Sequence, residues 1–273
     1  MSTADNRLRN RAFRSHLRLL GAHFKYNLAA AMEYRGSFLL QVFGMALNNT
    51  AFIAFWSVIY AKAPRIGDYG FRDVMFIWAL ASSAFGFAHI CFGNIRQLSR
   101  LILQGDLDTY LLQPKDVCLN LIAARSVVSA WGDLGYGLIL YLTVYGFEPG
   151  RLLLFVAFTF GGGLLMGSVI LSAHTLTFFI GDASAIARLV TEFLISFTVY
   201  PESIFRGTIR WLIYSLIPAG FIVYAPLKLM QAFSWTGLGI LFAIDAGYVA
   251  LSYWFFRRGL RRYESGNLIG TRL

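Results

Sequence analysis

Charge is scarce in this sequence. Only 14% of its 273 residues are Asp, Glu, Lys or Arg, against about 25% in ordinary soluble domains. Hydrophobic residues make up 57%, and the mean hydropathy is +0.59. That balance leaves too little polar surface to cover a globule in water. It excludes a soluble enzyme or binding domain and makes lipid the solvent for much of the chain. Acids are scarcer than bases, 14 against 24. A net charge of +10 in a soluble protein would point to nucleic acid. Here no basic block is interleaved with stacking aromatics, and the excess fits span ends that face anionic headgroups.

Cysteine is limited to Cys91 and Cys118, with no CxxC and no paired histidines. That excludes a disulfide framework or a zinc site and leaves both as packing residues. His16, His23, His89 and His174 are scattered, none at metal-ligand spacing. GxxxxGK followed by Ser or Thr is missing, so no P-loop can cradle nucleotide phosphates; HExxH and GxSxG are missing too. A membrane-embedded lipid-modifying enzyme would need a catalytic cluster, and the sequence offers none. No cleavable signal peptide is evident, because the first long apolar run begins near Ser37.

What the chain has is long apolar runs. Residues 1–10 are polar and expected to be disordered. Phe13, Leu17, Leu20, Phe24, Leu28 and Ala31 then recur at helical spacing beside a basic stripe of Arg11, Arg14, Arg18 and Lys25. An apolar stripe flanked by a basic one predicts an amphipathic helix lying in the headgroup plane. Residues 37–60 are apolar apart from Gln41, Asn48 and Asn49, and reach the ~20 residues that a span requires. Further spans are expected at about 74–95, 119–145, 152–180, 190–204 and 235–256. Between the last two, about 207–226, an apolar run is interrupted by Pro218 and Gly220. It is too short to cross and suits a re-entrant segment.

The basic residues orient these elements. With six spans and both termini cytoplasmic, sixteen Lys and Arg fall inside and seven outside, with Arg125 at a span end. A seventh crossing would place the Arg257–Arg262 cluster outside, against the positive-inside rule. The expectation is an all-α polytopic membrane protein. It has an N-terminal segment 1–36, a transmembrane domain 37–256 and a cytoplasmic tail 257–273.

Residues 96–116, the longest polar interruption, then lie in the cytoplasm. Leu98, Leu101 and Ile102 share one helix face, Gly105 ends that helix, and Pro114 stops the next segment. Between these, Leu107, Tyr110, Leu111 and Leu112 are unusually apolar for a solvent-facing loop, which argues for something that covers them. Within the spans, Asp133, His174 and Asp245 are ionisable, so each faces a polar interior, a transport path or a helix partner. Gly163 and Gly167 form one small-xxx-small pair, which allows close helix approach.

Several short motifs, in this order and spacing, resemble the ABC-2 type transporter permease subunits, in particular the ABC-2 membrane-6 (DUF990) family. They are Glu33-Tyr34-Arg35; Gly105-Asp106-Leu107-Asp108 with Leu111-Leu112-Gln113-Pro114; Tyr200-Pro201 with Ile204-Phe205; Ile217-Pro218 and Pro226; and Gly259-Leu260-Arg261-Arg262-Tyr263-Glu264-Ser265. The tail departs from the family in reading Ser265-Gly266-Asn267 where Ser-Ala-Gly is commoner.

The resemblance implies six transmembrane helices, an interfacial connecting helix and a coupling helix between spans two and three. It also implies a re-entrant hairpin that here would carry Pro201, Glu202, Pro218 and Pro226. Two permease subunits would work with two separate ATP-binding subunits, which hold ATP and Mg; this chain would hold no cofactor. Gln104, Gly105, Asp106, Leu107, Asp108, Tyr110, Leu111, Leu112 and Pro114 would dock on the ATPase, with Glu33 and Arg35 beside them. The system would be an exporter of a hydrophobic or amphipathic substrate in the bacterial inner membrane. A reading from another class is an ion-coupled secondary carrier using Asp133 and Asp245. Such carriers show broken helices at matching positions in two repeats, and here only the 207–226 region is broken.

Overall fold

The computed structural model describes the backbone of residues 3–264, and side chains from residue 15 onward except residue 17. Ser265 of the last motif, the rest of the tail and Arg272 of the charge count lie outside the described residues, as do the side chains of Phe13 and Leu17. Among the described residues the chain is helical, with no strand.

The first helix, α1 (Thr3–Glu33), begins well before Arg11, so residues 3–10 are helical rather than disordered. Tyr34 breaks it, and α2 (Arg35–Lys62) follows. A loop returns the chain to α3 (Phe71–Phe92), which is nearly all apolar and buried on every side from Phe76 to Ala84. A 3₁₀ turn at Gly93–Gln97 links it to α4 (Leu98–Gln104). Then come α5 (Asp108–Leu111), α6 (Val117–Ala123), α7 (Ala130–Tyr145) and α8 (Pro149–Thr175). The second half holds α9 (Thr177–Ile180), α10 (Ser184–Val199), α11 (Thr208–Leu212), a π turn at Gly220–Tyr224, α12 (Ala225–Gln231) and α13 (Trp235–Leu260).

Among the described residues, four helical stretches are long and apolar enough to cross a membrane: Arg35–Lys62, Phe71–Gln104, Pro149–Ile180 and Trp235–Leu260. Two expected spans differ from the sequence reading. The run 119–145 is not one helix, because residues 124–129 leave helical geometry between α6 and α7. The amide of Val127 donates to the carbonyl of His89 at 3.0 Å, a tertiary bond that replaces a helical one. The run 190–204 is displaced: α10 starts at Ser184 and ends at Val199, before Pro201. Helices α7 and α10 have 16 residues each, about 24 Å at 1.5 Å per residue.

Helix α3 is the axis of the bundle, with α7 and α8 packed along it. The glycine run of α8 lets three neighbours approach. A Cβ on Gly161 would stand 2.6 Å from Asp245 Oδ2 of α13, one on Gly162 3.2 Å from Ile222, and one on Gly163 2.5 Å from Phe87 of α3. Gly167 also faces α3, against Phe92. Gly162 lies thirteen residues from each end of α8, so Ile222 sets the π turn against the middle of that helix. Outside this core, α2 and α13 keep most of their surface uncovered, with Leu40 and Phe43 on α2 and Leu251 and Trp254 on α13 among the exposed apolar side chains.

Candidate functional site

Among the described residues, polar clusters lie at two ends of the bundle, and Asp133, His174 and Asp245 are buried elsewhere in it. At one end is the loop after α3. Gly105 closes α4 in the left-handed conformation (φ +79°), and a Cβ there would touch nothing within 4 Å, so the glycine serves the turn alone. The amide of Leu107 reaches back to the carbonyl of Leu101 at 3.2 Å. Leu107 is fully buried with Leu98, Leu101 and Ile102, so this loop leucine belongs to the chain's own core. Tyr110 is half-buried, and Asn94 donates to its hydroxyl at 3.3 Å. Leu111 and Leu112, at 41% and 87% exposure, are the two apolar side chains of the loop that stay uncovered.

The base of the loop is clamped. Asp116 caps α6 by accepting from the amide of Leu119 at 3.0 Å, and its other oxygen accepts from the Tyr253 hydroxyl of α13 at 2.6 Å. Lys115 donates to Ser15 of α1. His23 of α1 donates to Asn120 at 2.8 Å, and Asn27 donates to the carbonyl of Ala123. At the tip, the Arg100 guanidinium lies 3.7 Å from Asp106 and donates to Gln104. Tyr263 follows α13 in the C-terminal motif. Burial first and then the Asp108 carboxylate push its phenol up to about 12, and its ring meets Phe178 edge-on at 6.2 Å. Among the described residues, the side-chain hydrogen bonds that join α1 to this region come to Ser15 and from His23 and Asn27. Glu33 and Arg35 are exposed at the far end of α1, ten and more residues beyond His23.

At the opposite end, Pro201 ends the α10 segment and Glu202 turns inward. Its side chain is 7% exposed. It accepts from the hydroxyls of Tyr69 at 3.0 Å and Tyr214 at 2.9 Å, and from the Lys228 ammonium at 2.9 Å, with the Arg210 guanidinium at 3.2 Å. Burial alone would raise this carboxyl, but the bonds from Lys228, Tyr214 and Tyr69 outweigh it and hold Glu202 below the usual carboxylate value. The same burial and the adjacent Glu202 charge raise Tyr69 and Tyr214. One carboxylate thus ties the α2–α3 loop to α11, α12 and the segment between them. Ser203 adds a bond to the carbonyl of Ile66, and Tyr224 donates to the carbonyl of Tyr200 at 2.7 Å. Pro218 precedes the π turn, and Pro226 sits in the first turn of α12.

Asp133, His174 and Asp245 are not brought together. Asp133 of α7 accepts from Asn49 of α2 at 2.8 Å, and Asn49 accepts from the Trp78 indole N–H at 3.2 Å. His174 of α8 bonds Ser99 of α4 at 2.8 Å, and Thr177 donates to the same hydroxyl. Asp245 of α13 lies against Gly161, with Oδ1 unpartnered among the described residues. No described contact joins Asp133 to Asp245.

Sequence reasoning missed Asn49, Ser99 and the Glu202 partners. The signal for Asn49 was present, as a polar residue in an apolar span, but its partner is 84 residues away. Among the described residues no three His, Cys, Asp or Glu side chains could hold a metal ion, and Cys91 and Cys118 are both free thiols.

A protein-family model described as "ABC-2 family transporter protein" matches residues 46–267, most of the chain. No curated protein matches it.

Proposed function

This chain belongs to the ABC-2 transporter family and is a multi-pass membrane protein, and on that premise we propose that it is the permease subunit of an ATP-driven exporter. In this reading α2, α3, α7, α8, α10 and α13 are six spans with both termini cytoplasmic, and α1 lies along the inner membrane surface. Residues 207–226 are a re-entrant hairpin that enters from the outer side. The compartment is the bacterial plasma membrane. The partners are a second permease subunit and separate ATPase subunits, which carry ATP and Mg. The chain performs no bond chemistry itself.

The observation that carries the reading is the contrast within the loop after α3. Its base is locked to α13 and α1 through Asp116 and Lys115, and Leu107 is seated in the core, yet Leu111 and Leu112 remain in the open. A rigid mount that presents an apolar tip is what a partner needs to push on the bundle. Gln104, Gly105, Asp106, Asp108, Tyr110 and Pro114 shape that mount. Glu33 and Arg35, at the α1–α2 junction, would meet the ATPase at a second point. Closure of the ATPases on ATP would then shift the bundles through their differential affinity for this surface. The cargo is a hydrophobic or amphipathic molecule.

The test is purification in a mild detergent. An ATP-binding subunit should co-purify, and ATP hydrolysis should follow it. Export from proteoliposomes driven by a proton gradient, with no ATPase present, would sink this reading and favour the carrier using Asp133 and Asp245.

A further inference from the structure

Between α2, α3, α7 and α10 lies a cavity of about 290 Å³. Its walls are apolar and aromatic, and include Phe52, Trp78, Phe85 and Tyr200. Phe52 and Trp78 stack at 4.8 Å. Tyr200, one of the lining residues, meets Trp56 edge-on at 5.8 Å. Asp133 is the one acid among its described lining residues, and no Lys, Arg or His lines it.

Asp133 is 2% exposed, and its two oxygens differ. Oδ1 is held by Asn49, whose own carbonyl is engaged by the Trp78 indole, so the amide is fixed with its N–H toward the acid. Oδ2 has no partner among the described residues. A carboxylate at this depth costs about 2.5–3.5 kcal/mol or more unless it faces a counter-charge. The described lining supplies no such charge, and among the described residues no three His, Cys, Asp or Glu side chains gather there to hold a metal ion. Aromatic faces attract organic cations and repel anions. The volume sits at the lower end of the ~300–1,000 Å³ of small-molecule sites, enough for one ring with an ammonium head.

We infer that this cavity is a binding site for a lipophilic organic cation, with Asp133 as its counter-charge and the surrounding rings as its cage. The inference deepens the export reading by naming the class of cargo, and it rests on that reading only for the claim that the ligand is transported.

The test is equilibrium binding of radiolabelled benzyltrimethylammonium to the full-length permease, purified without any ATPase. Wild type should bind it saturably. Asp133→Asn, which keeps the shape and an acceptor for Asn49, should weaken binding at least tenfold. Neopentylbenzene, the neutral isostere, should not compete. Ser196→Phe adds a ring at an exposed lining position on α10 while leaving the Asp133 carboxyl itself unchanged, and should weaken binding by a similar factor. It decides the matter if Asp133→Asn does not survive purification. Absence of saturable binding in wild type, equal competition by the neutral isostere, or unchanged affinity in a folded variant would each overturn the inference. Because no ATPase is present, any of these leaves the docking of Leu111 and Leu112 untouched. Loss of ATPase association with cation binding intact would sink only the docking.

Discussion

The phenol of Tyr253, deep in the last turns of α13, donates to the carboxylate of Asp116 at the exit of the loop after α3, 2.6 Å away and 137 residues earlier in the chain. Asp116 also caps α6, and Arg257 donates to the Tyr253 hydroxyl at 3.2 Å. The last helix therefore holds the loop through a charged hydrogen bond, so a push on one is felt by the other.

Removing that hydroxyl tests the link. Tyr253→Phe keeps the ring and its packing and should lower stability by about 1.5–3 kcal/mol, the range for a hydrogen bond to a charged group. Thermal unfolding in detergent would register this, and the variant should still bind the ATPase while its ATP hydrolysis no longer responds to cargo. A fully coupled Tyr253→Phe would show that the loop is held by other contacts.

Leu112 is the most exposed apolar side chain of the loop. Leu112→Asp should change stability by no more than about 0.5 kcal/mol, as expected for a surface site, and should reduce ATPase co-purification at least tenfold. Asp108→Lys is expected to act in the same direction. Deleting residues 105–112 is a poorer experiment, because it removes Leu107 from the core. The readout is pull-down of the ATPase by the inserted permease.

Glu202 makes stability depend on pH with a definite sign. Its folded carboxyl is held below the reference value of 4.5. Its contribution is therefore fully present above the unfolded value and is lost as pH falls through the folded one. The melting temperature of wild type should drop across the acidic range. Glu202→Gln should be less stable at neutral pH by about 1–3 kcal/mol and should show a flatter acid limb. Parallel acid limbs for the two proteins would remove Glu202 as the cause.

Glycine substitutions separate contact from background. Gly163→Ala would place a methyl 2.5 Å from Phe87 Cδ1 and 3.0 Å from the carbonyl oxygen of Ala84. It should destabilise the α3–α8 pair by about 1–3 kcal/mol. Gly135→Ala, where nothing lies within 4 Å, should be neutral or stabilising by up to about 1 kcal/mol. Equal effects at the two sites, in unfolding midpoints measured side by side, would contradict the packing described.

Much of the architecture is legible in the order of the residues, because membrane helices follow from local composition. Residues 37–60 and 235–256 fall within α2 and α13, and Gly105 marks the end of α4 because a left-handed residue is needed there. The break at 124–129 was not legible. Nothing local forbids a helix there, and the turn exists because Val127 finds the carbonyl of His89 on another helix. The loop leucines were legible only as a group: periodicity says that they are apolar, and the fold alone decides that Leu107 is covered while Leu112 is not.

The sequence by itself determined that this chain lives in lipid, that it is helical, and that residues 96–116 form its main polar interruption. Those properties are sums over neighbouring residues, and hydropathy adds along the chain. Only the tertiary structure decided what the polar groups held within the fold meet. Asp133 meets Asn49, Glu202 meets Tyr69 and Lys228, and Asp116 meets Tyr253. Such pairings depend on helices that pack side by side from distant parts of the chain. In a medium without water, a polar atom's partner is set by that packing.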